Sequence, residues 1–487
     1  MSFSYFEYSF LFLPAVVVFY FLLNDRGYRT LARAWLLLCS LLFYVYLSPL
    51  YLPLLLLSIA INFALGKAIT PGAATRIPLS RKAIAGIGIV FNVALLGYFK
   101  YSDFFIQNFN SLFGKNLELL KILAPLGISY YTFLQVAFLA DSYRGKVREN
   151  GFLPYALFVA FFPKIIQGPI ALQSEIVPQL SDPARARFDP GSFARGLLFF
   201  SLGLVKKLAI ADNLAVWANQ GYDHAAVLTL FEAWFVMLAF CFQLYFDFSG
   251  YSDMAIGAGL MLNIRIPDNF NSPYKSLSMQ DLWRRWHITL GRFLRDYVYI
   301  PLGGNRVGPI RTYANIMVTF LIGGFWHGAA WTFVLWGAMN GLGLVVHRFW
   351  NRMGRRMGKF PAWLITFLYW NITLVMWRAT NPGDAAKVYR GVLGLDGVML
   401  PGSLKKLPLL SNMGVTFGPW LANLGHKQEH FIYLIVASAA LCFFFKNSQE
   451  LAEKLKPTVG WSLFVALLLG VGIVHMTRVS EFIYANF

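Results

Sequence analysis

Charge is what this chain has least of. Only 13% of its 487 residues are charged, against 57% hydrophobic, and the mean hydropathy is +0.54. A soluble globular domain carries about 25% charged residues, so a water-soluble enzyme and a disordered chain are both excluded. Acidic residues are scarcer still, 23 against 42 lysines and arginines, for a formal net charge of +19. That excess is expected of the cytoplasmic links of a membrane protein and gives no reason to invoke nucleic acid. Cysteine is nearly absent. Cys39, Cys241 and Cys442 lie in apolar runs without metal-ligand or redox spacing, so no metal site is expected. P-loop, dinucleotide fingerprint and internal repeat are all lacking, the last counting against an inverted-repeat transporter. The N-terminus has no basic n-region or A-x-A site, and residues 8–23 read as a retained first span.

What is there is a series of apolar stretches, near residues 8–23, 31–47, 50–65, 83–99 and 123–140, then 362–377, 431–445 and 461–475. The length accommodates on the order of ten spans of ~20 residues. Basic links recur at Arg26, Arg29 and Arg33, at Lys67, Arg76, Arg81 and Lys82, and at Arg144, Lys146 and Arg148. The most basic link is Arg348, Arg352, Arg355, Arg356 and Lys359. The positive-inside rule places these links in the cytoplasm and both termini outside. It also places the amphipathic piece 100–121 and the segment 378–430 at the outer face, and 446–456 inside.

The middle departs from a simple bundle. Residues 152–167 are apolar but carry Pro154, Pro163 and Lys164 before Gly168 and Pro169, which marks a broken or re-entrant helix lining a cavity. Longer apolar runs follow at 193–217 and 227–246, then a polar loop at 263–274. Residues 278–299 read as one helix. Ser278 and Asp281 fit a capping box, and Trp283, His287, Leu290 and Leu294 fall on one apolar face. Arg284, Arg285, Arg292 and Arg295 project elsewhere, either gripping donor phosphates or snorkelling to membrane lipids. In the stretch 320–347, His327 sits between Trp326 and Gly328, near Gly323 and Gly324, as if at the floor of a buried chamber. An ionisable side chain at membrane depth is a functional candidate by default.

A histidine can take a proton from a hydroxyl and return it. His327 and His287 are the candidates, each with the alternative of a polar residue bonding a neighbouring helix. His347 and His475 lie near span ends, and His224, His426 and His430 read as loop residues. Asp247 and Asp253 are candidates to orient a histidine, with helix capping or pairing to an arginine as the alternative.

Five blocks in order are similar to the membrane-bound O-acyltransferase superfamily: Tyr245-Phe-Asp-Phe-Ser-Gly-Tyr-Ser-Asp-Met-Ala-Ile-Gly257, Asn269-Phe-Asn-Ser-Pro-Tyr274, Leu282-Trp-Arg-Arg-Trp-His-Ile-Thr-Leu290, Phe293-Leu-Arg-Asp-Tyr-Val-Tyr-Ile-Pro-Leu-Gly-Gly-Asn-Arg306 and Gly324-Phe-Trp-His-Gly-Ala329. The resemblance is strongest to its bacterial alginate O-acetyltransferase branch. It implies an all-α polytopic membrane protein, a single integral domain over residues 1–487 with its motif-rich core at about 127–347, and helices ringing a thin wall with a tunnel. It implies His327 as catalytic and His287 as the second characteristic histidine. Trp326, Trp286, Arg284, Arg285, Asp247 and Asp253 are then candidates for binding the donor or lining the tunnel. Acetyl-CoA is the implied co-substrate, no cofactor is bound, and extracytoplasmic acetylation proteins at the bacterial inner membrane are the implied partners. Acetylation of peptidoglycan or cellulose, D-alanyl transfer toward teichoic acid, and a transporter without chemistry are the alternatives.

Overall fold

A computed structural model describes residues 3–72, 78–147, 151–406, 415–425 and 428–476. Arg76, Arg148 and His426 lie outside the described residues. Among the described residues, seventeen α-helices lie between Leu13 and Val392. They are α1 (Leu13–Asp25), α2 (Arg29–Leu47), α3 (Leu52–Ile69), α4 (Arg81–Leu96), α5 (Ser102–Phe113), α6 (Ile128–Tyr143), α7 (Phe152–Ala160), α8 (Gln173–Ser181), α9 (Pro190–Leu204), α10 (Asp212–Asn219), α11 (Leu230–Met261), α12 (Met279–Arg285), α13 (Ile288–Leu294), α14 (Pro309–His327), α15 (Trp331–Arg352), α16 (Lys359–Arg378) and α17 (Pro382–Val392). Helices Gln428–Phe444, Ser448–Ala452 and Val459–His475 follow. Among the described residues the one sheet is a small parallel pair, β1 (Met399–Pro401) and β2 (Thr416–Gly418).

Among the described residues, six stretches are long and apolar enough to cross a bilayer: Tyr8–Asp25, Arg29–Leu47, Pro49–Ile69, Arg81–Phe113, Leu230–Met261 and Lys359–Arg378. The chain is an all-α, multi-pass membrane protein. Its spine is α11. Thr229 caps this helix, its N–H donating to the Glu232 carboxylate at 3.0 Å. The first half of α11, from Val236 to Phe248, packs in one apolar core with α12, α15, α16 and α17. The second half, from Tyr251 to Met261, packs in another with α1, α2, α6, α7 and α9.

Several expectations from the sequence need correcting. The run at 227–246 does not end there, because helix continues through the Tyr245–Gly257 block to Met261. Residues 123–127 are not helical, and α6 starts only at Ile128. The helix expected over 278–299 breaks in its middle: Trp286 is extended and His287 is left-handed, at φ 42 and ψ 54. Ser278 Oγ does accept the Asp281 N–H at 3.1 Å, but Asp281 returns its carboxylate to the Leu277 N–H instead of the Ser278 N–H. The stretch 320–347 is a hairpin corner, with His327 the last residue of α14. His430 lies in the helix Gln428–Phe444, and His224 closes a wide helical turn, Gln220–His224. The break expected in 152–167 is present, as α7 stops at Ala160 before Pro163.

Candidate active site

The hairpin of α14 and α15 places His327. Gly324 and Gly337 let the two backbones touch: a Cβ on Gly324 would lie 2.4 Å from the Phe333 carbonyl oxygen, and one on Gly337 2.4 Å from that of Phe320. The His327 ring then stands in an aromatic enclosure, with ring centroids at 5.0 Å to Trp326, 5.0 Å to Trp336 and 6.1 Å to Trp377. Only 5% of His327 is exposed.

His287 reaches the same tryptophan from the break between α12 and α13, its ring 6.4 Å from that of Trp326. The break is strapped by the preceding loop: the Ile288 N–H donates to the Asn269 carbonyl and the Asn271 N–H to that of Arg285, each at 2.9 Å. The Asn269 side chain fixes the imidazole. Its Oδ1 accepts from Thr289 Oγ1 at 2.9 Å, while its Nδ2 donates to Ser252 Oγ at 3.2 Å. Oδ1 is therefore the acceptor facing His287 Nδ1, 3.0 Å away, so Nδ1 carries the proton and Nε2 keeps its lone pair. Nε2 meets no hydrogen-bond partner among the described residues. A buried imidazole held in that tautomer can accept a proton or a hydroxyl hydrogen bond.

A chamber of about 370 Å³ opens onto His327 and Trp326, lined also by Lys100, Ser129, Tyr130 and Gln167. Gly127 shapes it. At φ 74 it turns the chain into α6, and a Cβ there would meet the Ile165 carbonyl oxygen at 2.7 Å, so the re-entrant segment after α7 closes against α6. Lys100, expected at the outer surface, instead reaches the end of α14: its Nζ lies 2.9 Å from the Trp326 carbonyl oxygen and 3.0 Å from that of His327. The polar positions of this chamber were the least legible ones. Lys100 sits in an otherwise apolar span, and the rule that singled out His327 applies to it equally.

The remaining candidates lie elsewhere. Trp286 is buried against Trp370 and Tyr274, outside the chamber. Asp247 pairs with Lys207 at 2.5 Å, and Asp253 pairs with Lys206 at 2.6 Å and accepts from Ser448 Oγ. These are the ion pairs of the alternative reading, with lysine in place of arginine, and they join α11 to the wide helical turn after α9. Arg285 pairs with Asp281, Arg292 with Glu175 and Arg295 with Asp296, leaving Arg284 exposed.

Two histidines on one buried tryptophan, beside a chamber that holds Lys100, Ser129 and Gln167 inside a helical membrane protein, suit proton transfer at a hydroxyl. The family comparison fits that chemistry: residues 83–381 match the model of the MBOAT, membrane-bound O-acyltransferase family. The chain belongs to this family. It is an acyltransferase. A peptidoglycan O-acetyltransferase of Helicobacter pylori is 42% identical over 99% of this chain and 96% of its own length. A probable alginate O-acetylase of Pseudomonas aeruginosa is 40% identical over 80% of the chain and 75% of its own. More distantly, a teichoic acid D-alanyltransferase of Streptococcus thermophilus is 28% identical over 49% of the chain and 60% of its own. The segment matched to the family contains Lys100, Asn269, His287 and His327.

Proposed function

We propose that this acyltransferase moves acetyl groups from acetyl-CoA, approaching from the cytoplasm, to a hydroxyl presented from the opposite face, for O-acetylation of peptidoglycan. His327 takes the proton of the acceptor hydroxyl as its oxygen attacks the thioester carbonyl. The tetrahedral intermediate collapses, the C–S bond breaks, and the histidine returns its proton to the leaving thiolate. His287, held with Nδ1–H on Asn269, offers Nε2 to hold the acceptor hydroxyl or to shape the passage. The observation that carries the polymer assignment is the Helicobacter pylori match, which runs through both ends of the chain. A second reading, acetylation of alginate or a similar exopolysaccharide through extracytoplasmic partner proteins, is favoured by the Pseudomonas relative.

Ester-bound acetate is the test, released by mild base from purified peptidoglycan and, separately, from secreted polysaccharide. Deleting the gene removes it from peptidoglycan on the first reading and from the exopolysaccharide on the second. His327→Ala, at wild-type protein level, gives the same loss as deletion. Undiminished ester in that variant sinks the assignment of the base.

A further inference from the structure

Helix α14 ends without the usual closure. The last carbonyls of a helix have no partner within it, and a left-handed residue just beyond commonly satisfies them. Gly328 is extended instead, at φ −166 and ψ 156. The work falls to two neighbouring side chains from another helix. Tyr101 donates its hydroxyl to the Phe325 carbonyl at 2.7 Å, with that of Trp326 at 3.4 Å. Lys100 donates to the carbonyls of Trp326 and His327 and lies 3.3 Å from Ser129 Oγ on α6. The Tyr101 ring also stacks on Phe325, centroids 4.3 Å apart.

Consecutive residues of an α-helix diverge by about 100° around the axis, so Lys100 and Tyr101 would not normally serve one target. Here they do, and both lie in Gly97–Tyr101, a wide π-type turn between α4 and α5. Such turns are rare and recur at functional sites. A lysine at depth in the membrane is costly, and this one pairs with no carboxylate among the described residues. What it gains is the negative end of the α14 dipole, at the residue that lines the chamber.

We propose that Lys100 and Tyr101 are positioning residues: they clasp the last turn of α14 to the chamber wall and so fix where the His327 imidazole meets the acceptor. The proposal rests on His327 as the base. A displacement of about 1 Å at a reacting group costs up to about 100-fold in rate, so the clasp acts on turnover and leaves donor binding alone.

The test measures initial rates of labelled acetyl transfer from acetyl-CoA in membranes holding the full chain, normalised to folded protein. Lys100→Met lowers kcat about 10- to 100-fold with the acetyl-CoA KM within about twofold of wild type. Lys100→Arg, which keeps charge and donors, restores most of the rate. Tyr101→Phe, which keeps the ring and loses one hydroxyl, lowers kcat several-fold and carries the test if Lys100→Met does not accumulate. A clasp that merely stabilised the fold would lower the amount of folded protein and leave the rate per molecule unchanged, and that result overturns the proposal. His327→Ala is measured alongside. If it is inactive while Lys100→Met and Tyr101→Phe turn over as wild type does, the clasp falls alone; if it is active, the base assignment falls and the clasp with it.

Discussion

His287 stands in the left-handed region, where a residue with a bulky side chain costs of order 1–3 kcal/mol and persists only if its surroundings hold it. What holds it is Asn269, which receives both His287 Nδ1–H and the Thr289 hydroxyl on one oxygen. This arrangement was half legible. The block Asn269–Tyr274 and the Trp-His pair were each visible, but a contact across a loop leaves no periodicity to read. The helical face drawn through Trp283, His287, Leu290 and Leu294 was right about burial, since all four are buried, and wrong about the reason. Replacing Asn269 tests the tautomer. Asn269→Leu keeps the branched outline of the side chain, with bulkier methyl groups, but accepts no hydrogen bond, so the buried imidazole loses its partner at a cost of about 1–3 kcal/mol. The expected outcome is a fall in acetyl transfer of tenfold or more, with a lower thermal midpoint in detergent. An unchanged rate would show that the Nδ1 bond does not prepare His287 for the reaction.

At the scale of elements, glycines and wide turns carry the geometry that apolar periodicity does not. The long apolar runs named most of the spanning helices correctly, because burial against lipid or neighbours needs only an unbroken apolar stretch. The 320–347 run was equally apolar throughout, so the corner at His327 had no hydropathy signal; the glycines near it were its only trace. Two of those glycines have different duties. Gly324 faces backbone, the Phe333 carbonyl, which cannot swing away, whereas a Cβ on Gly323 would meet only the Leu294 Cδ1 at 3.0 Å, the far end of a flexible side chain. Gly324→Val therefore forces α14 from α15, an overpacking cost of about 1–3 kcal/mol or more, and carries His327 out of its enclosure. Gly323→Ala leaves both in place. Thermal unfolding in detergent with acetyl transfer measured beside it separates the two. Equal behaviour of the variants contradicts the close hairpin.

At the scale of the whole molecule, the hairpin decides which end of the membrane His327 serves. With 19 residues rising about 1.5 Å each, α14 is about 28 Å long, near the ~30 Å of a bilayer's hydrocarbon. Its open end is flanked by Arg306, just before the helix, and Arg311, in its first turn, and α15 returns to Arg348, Arg352, Arg355 and Arg356. Arginines gather on the cytoplasmic side, and this rule predicts the open end at the cytoplasm and the tip bearing His327 at the opposite side. The chamber at that tip is lined by residues 123–127 and Lys100, next to the piece 100–121 that carries few basic residues for its length. An acceptor would then have a short approach to His327, and the donor's thioester would have to come nearly across the membrane on its flexible arm. The orientation is checked with single cysteines in a chain whose Cys39, Cys241 and Cys442, all buried, are replaced by serine or alanine. In intact cells, an impermeant maleimide with access to the outer face of the membrane that holds the protein should label Lys115→Cys and spare Arg355→Cys. Opening the cytoplasmic membrane should expose Arg355→Cys as well. The reverse pattern would put the chamber on the donor's side, and the route of acetyl transfer through this protein would have to be drawn in the other direction.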